Sequence, residues 1–252
     1  MRIRFLLFSF FILTISLVKA QEGFEIQVYG SATMEKNTTI FELHSNVSPK
    51  GPKNVADFTN PLHETLEITT GLTDNFELGI YFFSRINQGQ FQYTGSHIRP
   101  RIAVPSSWGW KIGASLSLEA GFVKDPANQT EWDFEFRPIF DKTIGKHYLA
   151  FNPTIEGSFT TKEVSFSPNI KYLFAVNPKY SVGFEYYGSV GNPFRWDAFD
   201  LQTHLIYANI DFFLDPRYEA MFGIGHGITQ SSDVWNIKLI LGRRVSWSKK
   251  NK

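Results

Sequence analysis

The chain has no cysteine among its 252 residues. That removes disulfide staples and thiolate metal centres, and leaves no thiol for a lipid anchor. An excess of charge of one sign is missing too. Lys and Arg total 25 against 24 Asp and Glu, a formal net charge of +1, so there is no electrostatic footprint for nucleic acid or another strongly charged partner. Beyond residue 20 no unbroken apolar run approaches the ~20 residues of a membrane-spanning helix. The six histidines are scattered, with no two at i,i+2 or i,i+4, and no metal or cofactor is expected.

The first residues read as a targeting segment. Arg2 and Arg4 give a positive start, Phe5 to Val18 is apolar apart from Ser9, Thr14 and Ser16, and Val18-Lys19-Ala20 suits cleavage before Gln21. The apolar stretch of about fourteen residues is shorter than a spanning helix, which favours a cleaved signal peptide over residues 1–20 against an N-terminal membrane anchor. The remaining 21–252 are expected to form one domain.

What the chain has in abundance is period two. Phe76, Leu78, Ile80 and Phe82 alternate with Glu77, Gly79, Tyr81 and Phe83, and Trp132, Phe134, Phe136, Pro138 and Phe140 alternate with Asp133, Glu135, Arg137, Ile139 and Asp141. Such alternation marks a strand with two different faces. The pattern predicts twelve strands near 37–47, 63–72, 75–86, 91–105, 108–123, 130–142, 146–159, 164–176, 179–190, 200–214, 217–229 and 233–245. A lead over Phe24 to Thr33 also alternates and reads as an extension of the first strand or a short periplasmic segment. Tight turns at 73–75, 105–107, 142–145, 177–179 and 215–217 take turns with mostly longer connections at 48–62, 87–90, 124–130, 160–163, 191–199 and 230–233.

Short turns at one end and longer loops at the other are the asymmetry of an outer-membrane barrel, whose short turns face the periplasm. The fold class expected is therefore all-β: a single transmembrane antiparallel up-and-down β-barrel of about 12 strands, with 10 or 14 as alternatives. A soluble barrel would bury its apolar face and expose its polar one. Here the face opposite the aromatics carries Glu67, Glu77, Arg99, Arg101, Lys111, Glu119 and Asp133, followed by Glu135, Arg137, Glu156, Lys171, Glu185, Glu219 and Lys238. The other face is Phe, Leu, Ile, Val and Trp. An aromatic content of 16% fits the girdles at both membrane interfaces, and a mean hydropathy of −0.18 is no objection, because every second residue of a membrane strand faces the lumen. Pro100, Pro138, Pro153 and Pro168 fall inside predicted strands and are expected to cause local bulges or breaks, since proline donates nothing to the ladder.

Several segments, in order, carry a family resemblance. His63-Glu64-Thr65-Leu66-Glu67 leads to Gly71-Leu72-Thr73-Asp74 and then Phe76-Glu77-Leu78-Gly79-Ile80-Tyr81; later come His97-Ile98-Arg99-Pro100-Arg101, Phe136-Arg137-Pro138-Ile139, Phe151-Asn152-Pro153-Thr154 and Phe166-Ser167-Pro168-Asn169. Most of the chain after residue 20 thus resembles Gram-negative outer-membrane β-barrels similar to the "MetA-pathway of phenol degradation" transporter-like group. The resemblance implies an outer-membrane barrel and a channel for small, including aromatic, molecules. The C-terminus departs from that pattern: Trp247 is the last aromatic, and the chain continues through Ser248-Lys249-Lys250-Asn251-Lys252.

Two functions follow. The first is a passive channel or transport-related barrel whose charged inner face selects a solute, with Arg99, Arg101 and Arg137 as a basic strip and Glu67 and Glu77 as its acidic counterpart. The second is a plugged interaction barrel, its lumen closed by paired charges and its outer loops at 48–62 and 191–199 binding an external partner, with Phe194 and Trp196 as contact candidates. A catalytic role is not expected: His44 and Ser45 in His44-Ser45-Asn46 point to opposite faces of a strand. The partners expected are outer-membrane lipid and lipopolysaccharide, the barrel-insertion machinery and periplasmic chaperones during export, and a small-molecule solute.

Overall fold

The computed structural model describes residues 26–56, 58–125 and 127–247. The expected signal peptide and the basic tail at 248–252 lie outside the described residues.

The alternating segments form strands in the order expected: β1 (Thr38–Pro52), β2 (Leu62–Thr73), β3 (Phe76–Asn87), β4 (Gln90–Ala103), β5 (Gly113–Lys124), β6 (Thr130–Ile144), β7 (His147–Ser158), β8 (Val164–Asn177) and β9 (Tyr180–Ser189). A short hairpin follows, β10 (Gly191–Asn192) with β11 (Arg195–Trp196), and then β12 (Thr203–Asp215), β13 (Tyr218–Gly227) and β14 (Asp233–Ser246). All but β10 and β11 join one antiparallel sheet that closes through β1 and β14 into a barrel of twelve strands. Closure leaves no edge strand, the condition a sheet must meet in lipid.

Burial follows the pleat. On β1 the positions Ile40, Glu42, His44 and Asn46 are buried while Phe41 and Leu43 are exposed; on β3 Glu77, Tyr81 and Phe83 are buried while Ile80 and Phe82 are exposed. The exposed face is thus the apolar one, the reverse of a soluble barrel, and it defines a lipid-facing belt. Trp132 and Trp235 are the third residues from the loop ends of β6 and β14, and Trp108, Trp110 and Trp247 stand at the opposite end, as interfacial girdles.

The β4–β5 connection differs from the tight turn expected. It spans 104–112, with a single 3-10 turn at Ser106–Trp108 ended by Gly109 in the left-handed region (φ 68°). The alternation of Trp108, Trp110 and Ile112 imitates a strand, but these residues are exposed at the membrane interface, and β5 begins only at Gly113. Nor are all loop-end connections long: β3 and β4 meet through Gln88 and Gly89, both at positive φ, the conformation of a two-residue hairpin turn.

The four strand prolines open the ladder without shifting its register. Arg99 and Pro100 drop out of the β4–β5 pairing, 137–139 and 152–154 drop out of β6–β7, and the β8–β9 ladder stops at Asn169, one residue from Pro168. Register shifts occur elsewhere, as at Phe83/Ser84 and Val47/Lys50.

Candidate functional site in the barrel lumen

The lead is neither a strand nor a periplasmic extension. It runs inside the barrel. Residues 26–36 descend through the lumen to the turn end, the chain reverses at Asn37 (φ 60°), and β1 climbs away from it. Thr38 N donates to Glu35 O at the reversal, and Asn37 N donates to Gly71 O. Gly71 is required there: a Cβ on it would lie 2.2 Å from Glu35 O and 2.3 Å from Met34 O.

Apart from a single bridge at the rim, Lys36 with Gly71, the lead joins no ladder, so its backbone polar groups need other partners. Wall side chains supply them. Asn152 accepts from Tyr29 N (2.8 Å) and donates to Tyr29 O (3.0 Å). Arg101 donates to Gly30 O and Ala32 O at 3.1 and 2.9 Å. Asp141 accepts from Ser31 N and Ser31 Oγ, and Glu77 from Met34 N. Lys238 donates to Ile26 O at 3.1 Å. Ile26 and Val28 pack with Ala150, Tyr187, Leu205 and Tyr207 in a small apolar cluster at mid-lumen.

Tyr29 is the centre of this arrangement. The guanidinium carbons of Arg137, Arg99 and Arg101 lie 4.7, 4.9 and 5.6 Å from its ring centroid, within cation–π range. Its hydroxyl contacts Tyr81 Oη (2.9 Å) and Glu67 Oε2 (3.3 Å). The same arginines pair with the wall carboxylates. Arg99 Nη2 meets Glu67 Oε1 at 2.5 Å and its Nη1 meets Glu77 Oε1 at 3.0 Å; Arg101 meets Glu77 at 2.7 Å and Arg137 meets Glu135 at 2.6 Å. A second network lies across the lumen. Lys171 bridges Glu185 and Asp211 at 3.1 and 2.7 Å, and Lys238 pairs with Glu185 while donating to Tyr187 Oη at 2.9 Å.

The expected lumen charges fall into three groups. Glu67, Glu77, Arg99, Arg101, Glu119, Arg137, Lys171, Glu185 and Lys238 are buried on the inner face. Asp133, Glu135, Glu156 and Glu219 are half-buried, with Glu119, Glu135 and Glu156 directly opposite one another across β5, β6 and β7. Lys111 is not in the lumen. It is exposed in the β4–β5 connection, because β5 starts at Gly113, five residues later than the 108 that the alternation suggests. Arg99 and Arg101 form ion pairs with Glu67 and Glu77 beside Tyr29, whereas Arg137, against the same ring, pairs with Glu135.

Sequence reasoning missed Tyr29, Glu42, His44, Tyr81, Asp141, Asn152, Tyr187, Tyr207 and Asp211. The inward phase of each strand would have found the wall residues, whereas nothing local tells that Tyr29 belongs inside. Phe194 is 98% exposed between β10 and β11, and Trp196 is also exposed. His44 faces inward and Ser45 outward, where it donates to Glu64.

Beside the lead, the lumen holds a cavity of about 930 Å³. Thr38, Lys146, Arg217 and Ser246 form its rim at the turn end, and Tyr29, Glu67, Lys171 and Asp211 its deeper wall. A closed twelve-stranded barrel, apolar outside and ionic inside, is a transmembrane barrel of the outer-membrane type.

In fold the chain is similar to the COG4313 outer membrane channel from Pseudomonas putida F1 (TM-score 0.63, 12% identity, covering 88% of this chain and 100% of that one). It is also similar to the KdgM porin (0.52, 10% identity, 83% and 99%) and the NanC porin (0.52, 6% identity, 83% and 100%). No protein-family model matches the sequence, and no curated protein matches it.

Proposed function

We propose that the protein is a passive, transport-related outer-membrane channel for small solutes, narrowed at mid-lumen by its own N-terminal segment. The carrying observation is that the lead shares the lumen with the 930 Å³ cavity yet is fastened almost wholly by side chains. It can leave the wall without unzipping any barrel strand. With short turns on the periplasmic side, the cavity opens to the periplasm and the longer loops face outward. The names of the fold neighbours, a channel and two porins, support the same reading, as does a lumen lined by charge of both signs.

The cavity volume lies in the range of small-molecule sites, roughly 300–1,000 Å³, and the resemblance to the phenol-degradation transporter-like group points to small aromatic solutes. The wider assignment includes export with a cleaved signal peptide over residues 1–20, assembly by chaperones and the insertion machinery, and an outer leaflet of lipopolysaccharide. It includes no catalytic role. Proteoliposome swelling with uncharged solutes of graded size tests the function. Small solutes are expected to enter, faster through Tyr29→Ala, whose lead has lost its anchor. No flux through either protein contradicts it.

A specific observation favours a second reading. Phe194 stands fully exposed at the tip of the β10–β11 hairpin on the loop side, where it could contact an external partner. Removing 191–199 without effect on any surface-binding phenotype contradicts that reading and leaves the channel proposal intact.

A further inference from the structure

One row of inward positions carries three glutamates and a glycine across four strands. Glu219, Gly242, Glu42 and Glu67 stand opposite one another in successive pairs from β13 through β14 and β1 to β2. Gly242 has no side chain, and its neighbours lie over it: a Cβ there would meet Glu219 Cγ at 2.6 Å and Glu42 Cγ at 3.2 Å. Cations answer most of this charge. Arg244 pairs with Glu219, and Arg99 with Glu67. Glu42, only 5% exposed, forms no salt bridge among the described residues, and its one side-chain partner of note is another carboxyl, Glu219, with which it shares a hydrogen bond. A buried carboxylate without a counter-charge is costly.

His44 lies two residues along the same face of β1. Its side chain is fully buried, its Nδ1 has no hydrogen-bond partner among the described residues, and its Nε2 faces Glu67 Oε2 at 3.4 Å. The two oxygens of Glu67 are unequal. Oε1 takes the short bonds, 2.5 Å from Arg99 and 2.7 Å from Thr69, whereas Oε2 has, among the described residues, the long contacts to His44 at 3.4 Å and to the Tyr29 hydroxyl at 3.3 Å. One ligand atom each from Glu42, His44 and Glu67 falls within 4.8 Å of the others. Glu42 and Glu67 also line the cavity, which gives an ion a route from the turn end.

We propose that Glu42, His44 and Glu67 form a binding site for one divalent transition-metal ion of the zinc class. A single imidazole with two carboxylate oxygens suits such an ion better than calcium or magnesium, which favour all-oxygen shells. The fourth position is open to water or to the Tyr29 hydroxyl. The ion ties β1 to β2, supplies the charge that Glu42 lacks, and is independent of what the barrel conducts. The scattered histidines gave no hint of it because the ligand set is one histidine, its i−2 glutamate and a cross-strand glutamate.

The test uses the full exported chain refolded in detergent and stripped of metal, titrated with Zn²⁺ by calorimetry and with Co²⁺ by visible absorption. One equivalent is expected to bind, with the intense Co²⁺ bands of four-coordination. Glu42→Gln and His44→Gln are each expected to weaken binding by at least about tenfold, the scale at which even outer-shell changes register. His226→Gln, on the lipid face, leaves it unchanged. Heat-modifiable electrophoretic migration establishes that each variant has folded. Where one has not, the Co²⁺ stoichiometry and spectrum of the unsubstituted protein decide. Substoichiometric binding, a weak six-coordinate spectrum, or an unaltered titration in a folded His44→Gln overturns the proposal.

Discussion

Arg99 does two jobs with one side chain. Its guanidinium pairs with Glu67 and Glu77 on the wall and lies against the Tyr29 ring of the lead. Removing one member of a buried ion network leaves the others uncompensated, typically a loss of about 3–5 kcal/mol. Arg99→Met is therefore expected to lower unfolding free energy by about that much, measured by urea denaturation in lipid vesicles. Adding Glu67→Gln is expected to recover part of the loss, because the stranded carboxylate is then gone; strictly additive losses contradict the network. The charges themselves were legible in the sequence, since alternation assigns each to a face. Their pairing was not. Which Glu meets which Arg depends on register and barrel closure, which no strand encodes alone. Lys111 shows the converse error, where interfacial tryptophans copied the strand period and carried a neighbouring charge into the wrong place.

At the scale of elements, the informative one is the lead. Its alternation resembles a strand for a physical reason: over 26–32 a segment threaded beside a wall also has one side packed and another facing open lumen. Period two cannot separate these cases, and the partners that decide are remote, Asn152 and Asp141 lying more than a hundred residues away. The rim is where the lead can be displaced. Gly71→Val puts a branched side chain where Glu35 O already sits, and overpacking of this kind costs about 1–3 kcal/mol. The expected outcome is a lead that leaves the lumen, read as faster proteolysis within 26–36 in detergent while the barrel core stays resistant. Unchanged protection contradicts the placement of Gly71 as the lead's doorway. The prolines show a milder limit of strand reasoning. They interrupt pairing as expected, yet the adjoining ladders hold the register, so they leave gaps and no bulges.

At the scale of the molecule, the inversion of faces, the strand order and the closure of the barrel followed from the sequence, because binary pattern and turn placement are local signals repeated twelve times. The occupancy of the lumen did not follow, being a property of the closed barrel and of a segment outside its repeat. The proposed channel turns on residues 26–36, which, held by the cations around Tyr29, narrow the path through the barrel. Single-channel recording in planar bilayers compares the full exported chain with a variant lacking 26–36. Small or rare openings are expected for the full chain and a larger, steady conductance for the deletion. Equal conductance in the two, or none in either, contradicts it.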